Sequence, residues 1–222
     1  MHIPDGFIDA PTSAVFGAAS LAGVAVSLRG ARKELDERAA PLAGLVAVFI
    51  FAVQMINFPV GAGTSGHLMG GALAMVLVGP HAAVLAVTVV LIVQALMFAD
   101  GGLSALGLNV FNLALVGVWS AYLLYGVLRL ALPKVKSSVV VASFVAALVS
   151  VPVAAVAFVG QYAMGGSEVF SVGAVFSAMF GTHVLIGIGE AFITALTVSS
   201  VMASRQDLVF GWNSPMRGAA QA

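Results

Sequence analysis

The sequence predicts an all-α, polytopic membrane protein of about seven spans, with the N-terminus outside and the C-terminus in the cytoplasm. Three observations carry that expectation. Of 222 residues, 61% are hydrophobic and 8% charged, against roughly 25% charged in a soluble domain. The apolar residues fall in runs of roughly 20, the length that crosses about 30 Å of hydrocarbon. Glycine, proline and charge separate the runs, and the basic residues between them fall on one face.

Taken in order, the runs place spans near 12–28, 41–57, 67–79, 81–99, 103–131, 138–159 and 172–202. The third is too short to cross a bilayer comfortably. It opens in Gly61-Ala62-Gly63-Thr64-Ser65-Gly66-His67 and ends at Gly79-Pro80. Irregular backbone at membrane depth is tolerated only where protein or a cavity buries it, which makes this segment a candidate site. The spacing of Gly66 and Gly70 predicts a close helix contact.

Orientation follows from positive charge, which is retained on the cytoplasmic side. With seven spans, Arg29, Arg32, Lys33 and Arg38, then Arg129, Lys134 and Lys136, then Arg205 and Arg217 share one face. Six spans would move the last two arginines to the other face. The chain reads as a single integral membrane domain over 1–222, with residues 1–11 tucked into the bundle and 203–222 as a cytoplasmic tail.

Several function classes are excluded by the same reading. Short loops leave no room for a soluble nucleotide-binding or catalytic domain. There is no Walker A loop, no Gly-x-Ser-x-Gly elbow and no His-Glu-x-x-His motif. The chain is therefore not expected to be an enzyme, and neither an organic cofactor nor nucleic acid is expected to bind. With no cysteine, there is no thiolate metal site or disulfide. The opening Met1-His2-Ile3-Pro4-Asp5-Gly6-Phe7 lacks the basic and apolar regions of a signal peptide and is expected to be retained.

Four histidines are present: His2, His67, His81 and His183. Position two puts an imidazole within chelating reach of the chain's own amine. The amine and the His2 amide nitrogen close a five-membered ring on a metal, and that amide with imidazole Nδ1 closes a six-membered one. Such a planar nitrogen set suits Ni²⁺ or Cu²⁺ and accepts Co²⁺. His67, on the same face after the glycine-rich segment, is the candidate for a fourth ligand. The competing readings are a solvated tail histidine at position 2 and an interfacial one at position 67, and residue chemistry alone leaves the two pairs even.

His81, beside Pro80, reads as interfacial. His183 and Glu190 are seven residues apart in the last span and share a helical face. They are either a functional pair or partners in interhelical hydrogen bonds. Asn57, Asn109, Asn112, Gln54 and Gln94 carry the same ambiguity, with hydrogen bonding the default. Asp5, Asp9, Asp100 and Glu168 fall on the outer face, where they either attract cations or are solvated loop charges.

These residues resemble a known family. The opening heptapeptide Met1-His2-Ile3-Pro4-Asp5-Gly6-Phe7, with Gly61-Ala62-Gly63-Thr64-Ser65-Gly66-His67 and Gly70 and Gly71 following, is similar to the CbiM/NikM family. Its members are the substrate-specific components of energy-coupling factor transporters for cobalt and nickel, and the resemblance covers nearly the whole chain. It implies metal ligation by the Met1 amine, the amide and imidazole of His2, and His67, with Co²⁺ or Ni²⁺ as transported substrate. It also implies partners in the inner membrane: a small accessory subunit, a coupling subunit and two ATP-binding subunits. Asp5, Asn57 and Asp9 would then be candidates to hold the ligands in place without touching the metal. Similarity to the CbiM branch favours cobalt, with a nickel-specific member as the alternative, and implies a link to cobalamin biosynthesis. Two other classes stand beside it: a proton-coupled secondary transporter using Glu190 and His183, and a haem protein with His67 and His183 as axial ligands.

Overall fold

The computed structural model describes residues 1–35, 39–61 and 64–212, so Arg38, Ala62, Gly63 and Arg217 lie outside the described residues. Seven helices carry the fold: α1 (Ala10–Glu34), α2 (Ala39–Gln54), α3 (Gly71–Val78), α4 (Pro80–Met97), α5 (Leu106–Ala131), α6 (Lys136–Gly165) and α7 (Val172–Ser204). A small antiparallel hairpin, β1 (Phe58–Val60) with β2 (Thr64–Gly66), lies between α2 and α3, with Pro59 opposite Ser65.

Local chemistry explains the helix starts. Asp9 caps α1 by accepting the Thr12 N–H at 2.9 Å, with Pro11 in the first turn, and Ser171 caps α7 through Ala174 at 3.2 Å. Among the described residues five helices, α1 and α4 to α7, are long and apolar enough to cross a membrane. Their outer surfaces are apolar too, as at Leu21 (75% exposed) and Leu130 (83%), which suits lipid rather than water. Helix α2 is apolar but shorter, at 16 residues.

The third apolar run departs from expectation. Residues 67–70 are not helical, and α3 is an eight-residue helix with every residue buried. Gly70 adopts φ +75°, the left-handed region that glycine tolerates, so the helix begins only at Gly71. Gly66 and Gly70 therefore share no helical face. Gly70 instead admits α2, because a Cβ there would sit 2.8 Å from Ile50 Cγ1. A second close approach joins α6 to α7. Pro152, inside α6, cannot donate to the Leu148 carbonyl, and a Cβ at Gly187 would lie 2.8 Å from that oxygen.

The bundle has two distinct ends. At one, the opening segment meets the α6–α7 and α4–α5 connections: Asp9 N–H donates to Gly165 O (2.7 Å), Ser167 N–H to Phe7 O (3.0 Å) and Gly102 N–H to Ile3 O (2.8 Å). At the other, Ala82 N–H donates to Glu34 (2.8 Å), Phe210 N–H to Val76 O (2.9 Å), and Arg129 lies 5.7 Å over the Trp212 ring. The described lysines and arginines gather toward the second end.

Candidate functional site

The opening residues are core residues. Met1 and Ile3 are fully buried and His2 is 4% exposed. Backbone contacts hold them there. Asn109, on α5, accepts the Ile3 N–H through Oδ1 at 2.7 Å and donates Nδ2 to the Ile3 carbonyl at 3.2 Å. It immediately precedes a π-wound stretch, Val110–Val116, a local widening that often accompanies functional sites. The turn after α4 closes over the segment. Gly101 takes φ +90°, and a Cβ there would lie 3.3 Å from His2 Cβ. At Gly102 a Cβ would come within 2.4 Å of the Asp5 nitrogen, so only glycine fits.

This threading brings His2 to His67. Their rings stack with centroids 4.5 Å apart and planes 28° from parallel. His2 Nδ1 lies 2.8 Å from Asp100 Oδ1, and His67 Nδ1 lies 2.8 Å from the Leu68 carbonyl. With an acceptor facing each Nδ1, each neutral ring carries its proton there and presents a bare lone pair at Nε2. Both Nε2 atoms are buried and without a partner. Asn57 Nδ2 donates to the same Asp100 oxygen at 3.3 Å.

Burial sets the charge states. Desolvation pulls the Met1 amine from its ordinary 8.0 down to about 4, against the opposing pull of Asp100. It also lowers His2, despite the hydrogen bond to Asp100. Burial alone would raise Asp100, but its hydrogen bond and charge interaction with His2, the amine and Asn57 outweigh that and hold its carboxyl below the usual range. At neutral pH the cluster is a neutral amine, two neutral imidazoles and one carboxylate. Neutral nitrogens of this kind are ready donors to a borderline transition metal. Among the described residues no three His, Cys, Asp or Glu side chains sit together at metal-ligating spacing, so a complete donor set must include the amine or backbone.

The remaining candidates separate. Asp5 accepts from Ser104 N–H (2.8 Å) and Oγ (2.5 Å), and Asp9 caps α1, so both hold backbone. His81 lies at the other end, edge-on to Trp119 at 5.0 Å. Asn112 donates to Gln161 (2.7 Å) and Gln54 to the Met69 carbonyl (2.7 Å), the hydrogen-bonding default. Glu190 and His183 are not bonded to each other. Glu190 accepts the N–H groups of Met69 (2.6 Å) and Gly70 (3.0 Å), and His183 Nδ1 faces the Met179 carbonyl at 2.7 Å. Sequence reasoning missed Asn109 and Asp100 as partners of Ile3 and His2. The only signals were their residue types and shared face.

Fold and site together define a class: a multi-pass helical membrane protein with a buried cluster of nitrogen donors built on its own first residues. Comparison with known proteins makes it specific. The chain belongs to the CbiM family, whose model, described as a cobalt uptake substrate-specific transmembrane region, matches residues 2–208. It is 31% identical to a cobalt transport protein CbiM of Sorangium cellulosum, covering 94% of each chain. It is 41% identical to a chain named as a fused nickel transport protein NikMN in Archaeoglobus fulgidus, covering 94% of this chain and 68% of that one. A crystal structure titled as a transition metal transporter superposes with a TM-score of 0.84 at 31% identity, covering 91% of this chain and 93% of the other. The protein is thus a multi-pass membrane component of cobalt or nickel transport.

Proposed function

We propose that this chain is the substrate-binding subunit of an ATP-driven uptake transporter of the energy-coupling factor type, capturing Co²⁺ or Ni²⁺ from outside with the Met1 amine, His2 and His67. The observation that carries the reading is the burial of Met1-His2-Ile3 inside the bundle, with the His2 ring stacked 4.5 Å from His67. A neutral amine and two imidazoles with bare Nε2 atoms have no structural task that would repay their desolvation. A metal would supply one.

The five- and six-membered chelate through the amine, the His2 amide and His2 Nδ1 needs the nitrogen that now faces Asp100. Capture in that form exchanges the Asp100 hydrogen bond for a metal bond. The ring proton passes to Nε2, and the amide proton leaves. His67 already offers Nε2, with its Nδ1–H fixed on Leu68 O, the outer-shell arrangement that orients ligating histidines.

Outward placement of this end is supported by the gathering of described basic residues at the opposite end. In this reading all seven helices count as spans. Energy comes from partners: two ATP-binding subunits, a coupling membrane subunit and a small accessory subunit. The fused name of the Archaeoglobus relative favours a second membrane unit. Family membership favours cobalt, with nickel as the alternative cargo.

Calorimetry on the purified chain tests the ligand set. His2→Ala and His67→Ala are each expected to weaken cobalt and nickel binding at least about 100-fold, while His81→Ala leaves it unchanged. A His67→Ala chain that binds both metals as tightly as the parent overturns the proposal.

A further inference from the structure

Helix α3 has no cap of its own at either end. Gly70 before it and Gly79 after it, which also precedes α4, take φ +75° and +89° and offer no side chain. Remote carboxylates supply what is missing. At one end Glu190 accepts from Met69 and Gly70. At the other, Glu34, the last residue of α1, accepts the Ala82 N–H in the first turn of α4 at 2.8 Å. The seat is close: a Cβ at Gly79 would lie 2.8 Å from the Glu34 carboxylate and from the Phe210 ring, and one at Gly30 would collide with the His81 ring.

Pro80 creates a second attachment. In a continuous helix the Val76 carbonyl would accept from residue 80, but proline has no N–H. The Phe210 N–H takes that carbonyl at 2.9 Å, so the segment after α7 is tied to α3 as well. Between these anchors α3 is eight residues long with every residue buried, about 12 Å at 1.5 Å per residue. Close packing gives so short a helix no room to bend, so it shifts as one body. Its far end is the loop that carries His67.

We propose that Glu34 is a positioning residue for the metal site at the opposite end of the bundle: through α3 it keeps His67 beside His2, and withdrawing it releases the metal. The inference rests on the ligand set proposed above. Arg32 and Lys33 are exposed in the same last turn of α1, so a partner that draws this end of α1 aside would open the site from behind. Coupling of this kind is reciprocal. Metal held by His67 must in turn steady the Glu34 cap.

The test uses the full chain in detergent with Ni²⁺ alone. In stopped-flow dissociation against a chelator, Glu34→Ala should release nickel at least about fivefold faster than the parent, the lower end of ordinary coupling between sites. Glu34→Gln, which keeps an accepting oxygen, should stay closer to the parent. Unaltered hydrogen exchange along α6 certifies the fold of both variants. In the parent, nickel should slow amide exchange at residues 79–83 and leave the start of α6, at the same end, as it was. A smaller change in release from Glu34→Ala, or exchange at 79–83 that ignores nickel, overturns the proposal, and the second measurement decides it even where neither variant folds. A parent that binds neither nickel nor cobalt overturns the metal site itself. Either contrary result in a parent that binds nickel overturns only the role of Glu34.

Discussion

Glu190 on α7 accepts the backbone N–H groups of Met69 and Gly70, at 2.6 and 3.0 Å, two and three residues beyond His67. A buried carboxylate thus serves as the missing cap of α3, whose own N-cap glycine has no side chain. One residue joins a long membrane helix to the loop that carries the second histidine.

Glu190→Ala would leave two buried N–H groups unpaired, each costing about 1–3 kcal/mol. A clear drop in melting temperature and weaker nickel binding are expected together. Glu190→Gln, which retains one accepting oxygen, should fall between. If Glu190→Gln leaves binding and melting untouched yet abolishes uptake, while His2→Ala is tolerated, proton coupling replaces the clamp.

Asp100 accepts from His2 and from Asn57 and holds the ring in the metal-free chain. The proposed chelate takes the His2 nitrogen that faces this carboxylate, so Asp100 and the metal compete for it. Asp100→Ala removes the competitor, and metal affinity in calorimetry should hold or rise; a clear fall would show that Asp100 supports the bound metal. Asp9→Ala, which removes only a helix cap, should cost about 1 kcal/mol of stability with metal affinity unchanged.

The amine, depressed to about 4, fixes the pH dependence. In the folded apo chain it is already neutral at pH 7, so metal need not displace its proton, and His2 is shifted in the same direction. At pH 8 only the His2 amide proton should leave on binding, so calorimetry in buffers of different ionisation enthalpy should count about one proton per metal there. As pH falls the amine adds to that count only toward about 4, and the lowered His2 imidazole adds to it at a lower pH than an unperturbed ring would. Stability has a matching sign. The unfolded chain protonates the amine below its ordinary 8.0 and the folded chain does not, so apo stability rises with pH through the window from about 4 to 8.

Asn109 clamps both backbone groups of Ile3. Asn109→Ala should free residues 1–9, seen as faster amide hydrogen exchange there with the α6–α7 pair still protected, and weaken metal binding at the same time. Exchange unchanged from the parent would mean the clamp is dispensable.

Much of this molecule was legible from local properties. Apolar run length marks helices whatever their neighbours, so α1, α2 and α4 to α7 appear near their observed places. Position two gives His2 its chelating reach by covalent geometry alone, and the glycine-rich approach singled out His67. The framework was not legible, because it is made across the chain: His2 to Asp100 spans 98 residues, Ile3 to Asn109 spans 106, and Met69 to Glu190 spans 121. The start of α3 was misplaced for a related reason. Apolarity continues smoothly through Leu68 and Met69, and only the positive φ of Gly70 with the grip of Glu190 ends the loop there. Residue type likewise gave no warning that His2 Nδ1 would face a carboxylate.

In the proposed site the α-amine of Met1 is itself a ligand. Adding one alanine before Met1 moves the amine out of the chelate while leaving every side chain in place. Nickel and cobalt binding to the extended chain, measured by calorimetry beside the parent at equal melting temperature, should be lost or weakened at least about 100-fold. Binding as tight as the parent's would contradict the account.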